Sequence, residues 1–154
     1  MKSTLLTLAF TALGLALTVN AAEKEKHDHD HAVAGPNGGK LITEVEPHAE
    51  FFVNQENKIE IRFVDDDMKV VAPGEQVVSV ILGERSKPTK MSFSKDGDKL
   101  ISDVAVPEGN NHPTVVQIKT TADAKAVTEK FTLNLTQCPT CKYKEYACTC
   151  DHDH

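Results

Sequence analysis

The four cysteines of this 154-residue chain all lie near its C-terminus, in the stretch CPTCKYKEYACTC. Cys138 and Cys141 form a CxxC pair, and Cys148 and Cys150 form a CxC pair after six further residues. A CxxC turn can direct two sulfurs at one tetrahedral ion, and a second pair close in sequence can complete four-thiolate coordination by folding back. Thiolates are soft ligands, so this spacing favours zinc or copper(I), with an iron–sulfur cluster as a further option.

The same four cysteines could instead form two disulfide bonds. Exported proteins meet an oxidising compartment, where cysteines commonly pair, and four cysteines allow three pairings. A disulfide within the CxC pair would strain its short ring, so each cysteine of the CxxC pair would join one of the CxC pair. The cysteines alone leave a metal centre and a stapled tail as alternatives.

Five of the seven histidines lie in two acidic tracts, one near each end of the chain. The first, HDHDH, contains His27, His29 and His31, and the second, DHDH, contains His152 and His154. Neutral imidazole is a common metal ligand, and a neighbouring carboxylate attracts cations and can accept a hydrogen bond from the second ring nitrogen. A solvated tail without a specific role is the alternative. We expect weak, rapidly exchanging binding of zinc, copper(II), nickel or cobalt in these tracts.

One histidine within the body of the chain is a further candidate ligand. His48 precedes a predicted strand and shares its exposed face with Glu50, because residues two apart on a strand point the same way. Both could then reach one ion, although an ordinary exposed strand pair is the alternative. The DDD stretch at 65–67 lacks the spacing and the distal glutamate of a calcium loop, so we interpret it as a solvated turn.

The elements that must position these residues are predicted to be strands. From Lys40 onward, apolar residues recur with a period of two; Ile59, Ile61 and Phe63, for example, alternate with charged residues. Glycine-, proline- and aspartate-rich turns separate the runs, and KDGD at 95–98 is the clearest hairpin signal. The predicted strands are 40–45, 48–54, 58–64, 76–82, 89–94, 98–106, 113–121 and 126–136. This pattern is typical of a small, immunoglobulin-like antiparallel β-sandwich, and a turn at 122–126 is the only helix candidate.

The ends of the chain differ in composition from the β-domain, which we assign to residues 36–136. Lys2 and the apolar run that follows it predict a cleaved signal peptide over residues 1–21, too short to span a bilayer. Residues 22–35 form a polar arm predicted to be disordered, and 137–154 form the Cys- and His-rich tail. We therefore expect a periplasmic or secreted protein without membrane insertion. Its net charge of −6 disfavours nucleic acid and favours cations as partners.

The stretch HDHDHAVAGPNGGKLITEVEPHAEFFV resembles the beginning of a β-domain in periplasmic adaptor proteins of heavy-metal efflux pumps. In those proteins a histidine-rich arm leads to a Gly-Pro-His-Gly-Gly turn; Gly35, Pro36, Gly38 and Gly39 match it, and Asn37 stands at the histidine position. The resemblance covers about a quarter of the chain. The order of arm, sandwich and CPTC…CTC tail is also similar to a group of small exported bacterial proteins. These resemblances imply a metal context, and possible partners are a metal efflux or uptake system.

These residues are compatible with two functions and argue against a third. The leading hypothesis is an exported protein that buffers or delivers a transition metal such as zinc or copper. The alternative is a disulfide-stapled structural or partner-binding sandwich without a metal. An enzyme is not expected: CPTC resembles the dithiol of thiol-disulfide oxidoreductases, but that chemistry needs its first cysteine at a helix N-terminus, and here the motif follows a predicted strand.

Overall fold

The computed structural model describes residues 33–150. The predicted signal peptide, most of the predicted arm, and the histidines of both acidic tracts lie outside this range. Among the described residues, no helix has the length and apolar character needed to cross a membrane.

The predicted all-β, antiparallel fold is confirmed. The strands are β1 (Lys40–Ile42), β2 (His48–Val53), β3 (Lys58–Val64), β4 (Val70–Val71), β5 (Val77–Leu82), β6 (Thr89–Asp96), β7 (Lys99–Ala105), β8 (His112–Lys119) and β9 (Val127–Leu133). Each predicted strand has its counterpart, and only the two-residue β4 was not predicted. Within residues 33–150 the helical content is one 3₁₀ turn, Glu145–Ala147, so the helix candidate at 122–126 is not formed.

The strands form one antiparallel sheet with the order β1-β2-β3-β7-β6-β5-β8-β9, and β4 pairs with the outer end of β3. Strand β6 belongs to both halves of this sheet: residues 89–92 pair with β5, and residues 93–96 pair with β7. The sheet therefore turns at β6 and folds over on itself as a nearly closed barrel. The hairpin predicted at KDGD is confirmed: it connects β6 to β7, and Asp96 pairs with Lys99 across it.

The core fills the interior enclosed by the folded sheet. It consists of the apolar side chains whose alternation with polar residues predicts the strands. Ile59, Ile61 and Phe63 of β3 are fully buried. Interior side chains also connect the two ends of the strand order, because the rings of Phe51 on β2 and Phe131 on β9 meet edge to face at 5.2 Å. Lys40 of β1 also lies 3.3 Å from Glu129 of β9, so the first and last strands are close neighbours in space although they are not paired.

The C-terminal segment packs at this junction. The ring of Tyr146, in the 3₁₀ turn, lies 5.9 Å from the ring of Phe51 and 6.4 Å from that of Phe131. Its hydroxyl oxygen accepts a hydrogen bond of 3.2 Å from the backbone N–H of Val53, and its own N–H donates to the carbonyl of Asn134. Burial raises the pKa of Tyr146 to about 12. The tail is therefore fixed to the core of the β-domain by a buried aromatic residue.

The GPNGG turn covers part of the outer face of the sheet and corrects one expectation. Glu50, predicted to be exposed beside His48, is fully buried. Its carboxylate accepts hydrogen bonds from the N–H groups of Asn37 (2.8 Å) and Gly39 (2.9 Å) and from the Asn37 side chain (2.7 Å). A Cβ atom at Gly35 would clash with the side chain of Glu50, so this close approach favours glycine. The expected exposure of Glu50 is therefore wrong, and its carboxylate cannot share an ion with His48 because the turn occupies it.

Candidate metal centre

The CxxC pair lies on a tight loop that begins and ends in backbone contacts. Gln137 and Lys144 form an isolated antiparallel bridge, and the N–H of Cys138 donates to the carbonyl of Tyr143 at 3.0 Å. The Gln137 side chain closes the loop from within by donating to the carbonyls of Cys141 and Tyr143. The N–H of Tyr143 in turn donates to the sulfur of Cys141. These contacts hold both sulfurs of the pair on a defined backbone.

The 3₁₀ turn brings the CxC pair back beside this loop. The N–H of Glu145 donates to the carbonyl of Thr136 at 3.0 Å, and the N–H of Cys148 donates to the carbonyl of Glu145 at 3.2 Å. Because Tyr146 is anchored in the core between these contacts, the second pair is positioned by the β-domain itself.

The four sulfurs converge on one point. The Sγ atoms of the four cysteines all lie within 4.8 Å of one another. The distance from Cys138 Sγ to Cys148 Sγ is 3.4 Å, and that from Cys141 Sγ to Cys148 Sγ is 3.7 Å. A tetrahedral zinc ion with Zn–S bonds of about 2.3 Å separates its sulfurs by about 3.8 Å, whereas a disulfide bond is about 2.05 Å long. No disulfide bond joins these four cysteines in the structure, and their sulfurs are close enough together to hold a single ion.

Hydrogen-bond donors surround the sulfurs. The hydroxyl of Thr140 donates to Cys150 Sγ at 3.2 Å and lies 3.3 Å from Cys138 Sγ. The backbone N–H of Cys150 lies 3.4 Å from Cys148 Sγ and donates to it. Such donors stabilise negative charge on sulfur. Thr140 was not recognised from the sequence, although it is the variable residue directly before the second cysteine of the CxxC motif.

The pKa values of these thiols follow from the same contacts. Burial, together with hydrogen bonds among the thiols, raises the pKa of Cys148 to about 12. The hydrogen bond from Thr140 lowers the pKa of Cys150. Metal ions bind the thiolate form of cysteine. Binding of an ion to these sulfurs would therefore release protons, and the affinity would fall as the pH is lowered.

One side of the centre is open to solvent. Cys138 is 3% exposed, whereas the other three cysteines are partly exposed. Cys148 and Cys150 line a cleft of about 490 Å³ together with Lys40 and Glu145. Two of the four cysteines therefore line a cleft that is open to solvent.

The GPNGG turn lies against the other side of the cysteine loop. A Cβ atom at Gly38, which has a φ of 84°, would lie 3.3 Å from the ring of Tyr143. Between the turn and the loop is a second cleft of about 340 Å³, lined by Asn37, Lys142 and Tyr143 among others. The GPNGG turn thus lies beside the loop that carries the CxxC pair.

His48 lies in a different group of possible ligands. Its Nδ1 is 3.0 Å from the carbonyl of Val45 and 3.7 Å from a carboxylate oxygen of Glu46, and its Nε2 is 3.9 Å from Asp66 Oδ1. These ligand atoms lie within 4.8 Å of one another and could hold an ion. Asp66 belongs to the DDD stretch interpreted above as a solvated turn. The register shows why it is near, because His48 pairs with Val64, the last residue of β3.

The His48 group and the cysteines are separate. His48 begins β2, whereas Val53 at the opposite end of the strand contacts Tyr146. A six-residue strand is about 16 Å long. His48 therefore cannot share an ion with the cysteines, and of the predicted ligands in residues 33–150 the structure unites only the four sulfurs.

No family model matches the chain, and no curated protein or solved structure matches it either.

Proposed function

We propose that this protein is an exported metal-binding protein that holds one thiophilic transition-metal ion, zinc(II) or copper(I), at its four cysteines and buffers or delivers that ion. The observation that carries the proposal is the convergence of all four sulfurs within 4.8 Å. Cys138, Cys141, Cys148 and Cys150 are the ligands.

The surroundings of the sulfurs support an ion at this position. Four thiolates around zinc(II) carry a net charge of −2, and N–H and O–H donors directed at sulfur offset part of it. Such donors come from Tyr143, Thr140 and Cys150. The loop and the 3₁₀ turn fix the ligands before an ion arrives, which lowers the entropic cost of binding.

The backbone around CPTC favours metal binding over dithiol oxidoreductase chemistry. A reactive CxxC cysteine is activated at a helix N-terminus. In the described part of the chain, Cys138 follows an isolated β-bridge residue, and the single 3₁₀ turn begins seven residues later at Glu145. The CxxC pair therefore lacks helix-dipole activation and is available as a ligand pair.

Native mass spectrometry tests the proposal directly. Mature protein purified under reducing conditions and incubated with one equivalent of zinc should show a single-ion adduct. Cobalt(II), as a spectroscopic substitute for zinc, should give the intense sulfur-to-metal absorption of a tetrahedral thiolate site. Copper(I) binding is measured by competition with a coloured copper(I) chelator.

Matched variants identify the ligands. Cys141→Ser and Cys148→Ser should each lose the cobalt signal, whereas His48→Ala should retain it because His48 lies at the far end of β2. A variant without the five tract histidines should keep this high-affinity ion and lose only weak additional binding. An unmodified protein that takes up no ion would refute the proposal. Protein isolated four hydrogens lighter, and inert to thiol reagents, would favour the disulfide-stapled alternative.

Export and a metal-transport partner complete the proposal. Residues 1–21 carry the features of a signal peptide, and the GPNGG turn, which resembles efflux adaptors, lies beside the cysteine loop. The N-terminal sequence of protein from the periplasmic fraction or the medium should begin near residue 22. A protein that retains its first residues in the cytoplasm would overturn this part while leaving ion binding intact.

A further inference from the structure

We propose that the cysteine centre is redox-gated: exchange with external disulfides converts the four thiols into two bonds, Cys138–Cys148 and Cys141–Cys150, and expels the ion. This inference names the regulation of the proposed metal site and rests on that function for its ion. The sequence alone left two alternatives for the four cysteines, metal ligands or disulfide partners. In this proposal they are two states of one centre.

The geometry limits which bonds can form. A disulfide within Cys148-Thr149-Cys150 would close a strained short ring. A bond between Cys138 and Cys141 would leave only that strained pair, so both bonds must cross from one motif to the other. The shortest crossing distance given by the structure, 3.4 Å, joins Cys138 to Cys148. Cys141 and Cys150 are then the remaining pair, and their sulfurs also lie within 4.8 Å.

Little movement is needed to form these bonds. Cys138 is held by its hydrogen bond to Tyr143, and Cys148 follows the anchored Tyr146. Their sulfurs, 3.4 Å apart, must approach each other by about 1.4 Å to reach the disulfide length of about 2.05 Å. Because the backbone already brings the two sulfurs together, the entropic cost of closing the bond is small.

An external disulfide can reach the centre from the open cleft. Cys148 and Cys150 line this cleft, and Cys138 is buried behind them. In the zinc-loaded protein the ligand sulfurs are thiolates, and Cys148 or Cys150 attacks one sulfur of the incoming disulfide, forming a mixed disulfide and releasing one thiol. Cys138 or Cys141, respectively, then attacks the protein sulfur of that mixed disulfide and releases the second thiol.

The overall exchange balances without a further reactant. Two external disulfides accept four electrons, and the protein loses them as two disulfide bonds form. With zinc bound, four protons from solvent complete the four released small thiols, and zinc(II) leaves with its charge unchanged. All four thiolate ligands are consumed, so the oxidised centre no longer holds the ion.

The test uses the full mature chain loaded with zinc, and oxidised glutathione as the external disulfide. We expect one zinc ion released per chain, detected by a chromogenic chelator, together with a mass loss of four hydrogens. Reduced glutathione should restore zinc uptake. Zinc that stays bound while metal-free protein is fully oxidised under the same conditions would overturn the gate. A chain that never binds zinc would instead refute the proposed function, and its disulfide pairing would still be measurable.

Paired variants test the connectivity. Cys141→Ser with Cys150→Ser leaves the 138/148 pair, and Cys138→Ser with Cys150→Ser leaves the 141/148 pair. In glutathione redox buffers, the equilibrium constant for forming the protein disulfide should be at least tenfold larger, roughly, in the first variant than in the second. The reverse order would contradict the assignment. Partial reduction and differential alkylation of the wild-type protein give the same pairing independently of how the variants fold.

Discussion

At the scale of single residues, Glu50 connects the amino-terminal turn to the sheet. Its buried carboxylate is the acceptor for two backbone N–H groups and one side-chain amide in the GPNGG turn. The same turn lies beside Tyr143 of the cysteine loop, since a Cβ atom added at Gly38 would be 3.3 Å from that ring. The fold therefore explains the glycine-rich motif, because this turn surrounds a buried carboxylate and lies beside the cysteine loop.

Replacing Glu50 should destabilise the fold in proportion to the hydrogen bonds lost. Glu50→Ala leaves the buried N–H of Gly39 and the partly buried N–H of Asn37 without their acceptor, and the buried group alone costs about 1–3 kcal/mol. Glu50→Gln keeps one oxygen for both, so it should cost less. Urea unfolding measures the difference, and Glu44→Ala at an exposed position serves as the control. Equal stability of Glu50→Ala and wild type would show that the turn does not depend on this carboxylate.

A second buried carboxylate gives a pH-dependent prediction. Burial alone would raise the pKa of Glu60, but hydrogen bonds from Asn54 and Lys99 and the nearby charge of Arg62 outweigh it, so the pKa lies below the ordinary 4.5. The contacting nitrogens lie 3.0, 3.0 and 2.7 Å away, respectively. A carboxyl with a lowered folded-state pKa stabilises the protein above its unfolded pKa and loses this contribution as pH falls through the folded value.

Glu60→Gln should accordingly reduce the free energy of unfolding by about 1.5–3 kcal/mol at pH 7, the range for hydrogen bonds to a charged group. The difference in free energy of unfolding between the wild type and Glu60→Gln should decrease as the pH is lowered through 4.5 and below. Denaturant titrations at a series of pH values measure it. Glu56→Gln, at an exposed position, should show little difference at any pH. A gap that is constant with pH would mean that the charge of Glu60 does not stabilise the fold.

At the scale of elements, the strands were predictable from the sequence and the contacts of the tail were not. Alternation reports which residues face the core of a regular strand, and it located β3 and the hairpin after β6 correctly. It placed Glu50 in solvent because a loop that covers the outer face leaves no periodic signal. Spacing predicted that the four sulfurs could converge. It could not reveal that Tyr146, between the two cysteine pairs, is a core residue, because no repeating pattern surrounds it.

Tyr146 should therefore control both stability and metal affinity. Tyr146→Ala removes a buried aromatic ring and should cost about 3–5 kcal/mol, the range for large aromatic truncations. It should also weaken zinc binding at least about tenfold, because the CxC pair loses its anchor. Tyr146→Phe removes only the contact with the Val53 N–H, so it should cost about 1 kcal/mol and leave zinc affinity nearly unchanged. Wild-type affinity in Tyr146→Ala would indicate that the tail folds around the ion without help from the β-domain.

At the scale of the whole molecule, the cysteine segment bridges the first and last strands of a sheet that is not quite closed. Lys40 of β1 forms an ion pair of 3.3 Å with Glu129 of β9, and Phe51 and Phe131 meet behind it. Tyr146 contacts both rings. An ion that fixes the tail therefore fixes the contact between the two ends of the sheet, and ion binding and folding of the domain should be coupled.

This coupling predicts that zinc raises the unfolding temperature of the β-domain. A ligand that binds only the folded state stabilises it by about 2.7 kcal/mol at a free concentration of 100 times its dissociation constant. For a domain of this size, that corresponds to a rise of roughly 10 °C. The transition should be followed by the circular dichroism of the strands, and the Cys141→Ser, Cys148→Ser double variant should show no rise. If the tail were only an appendage, zinc would bind to the wild-type protein and leave the transition of the strands where it was, because free energy gained in an uncoupled segment cannot stabilise the sheet.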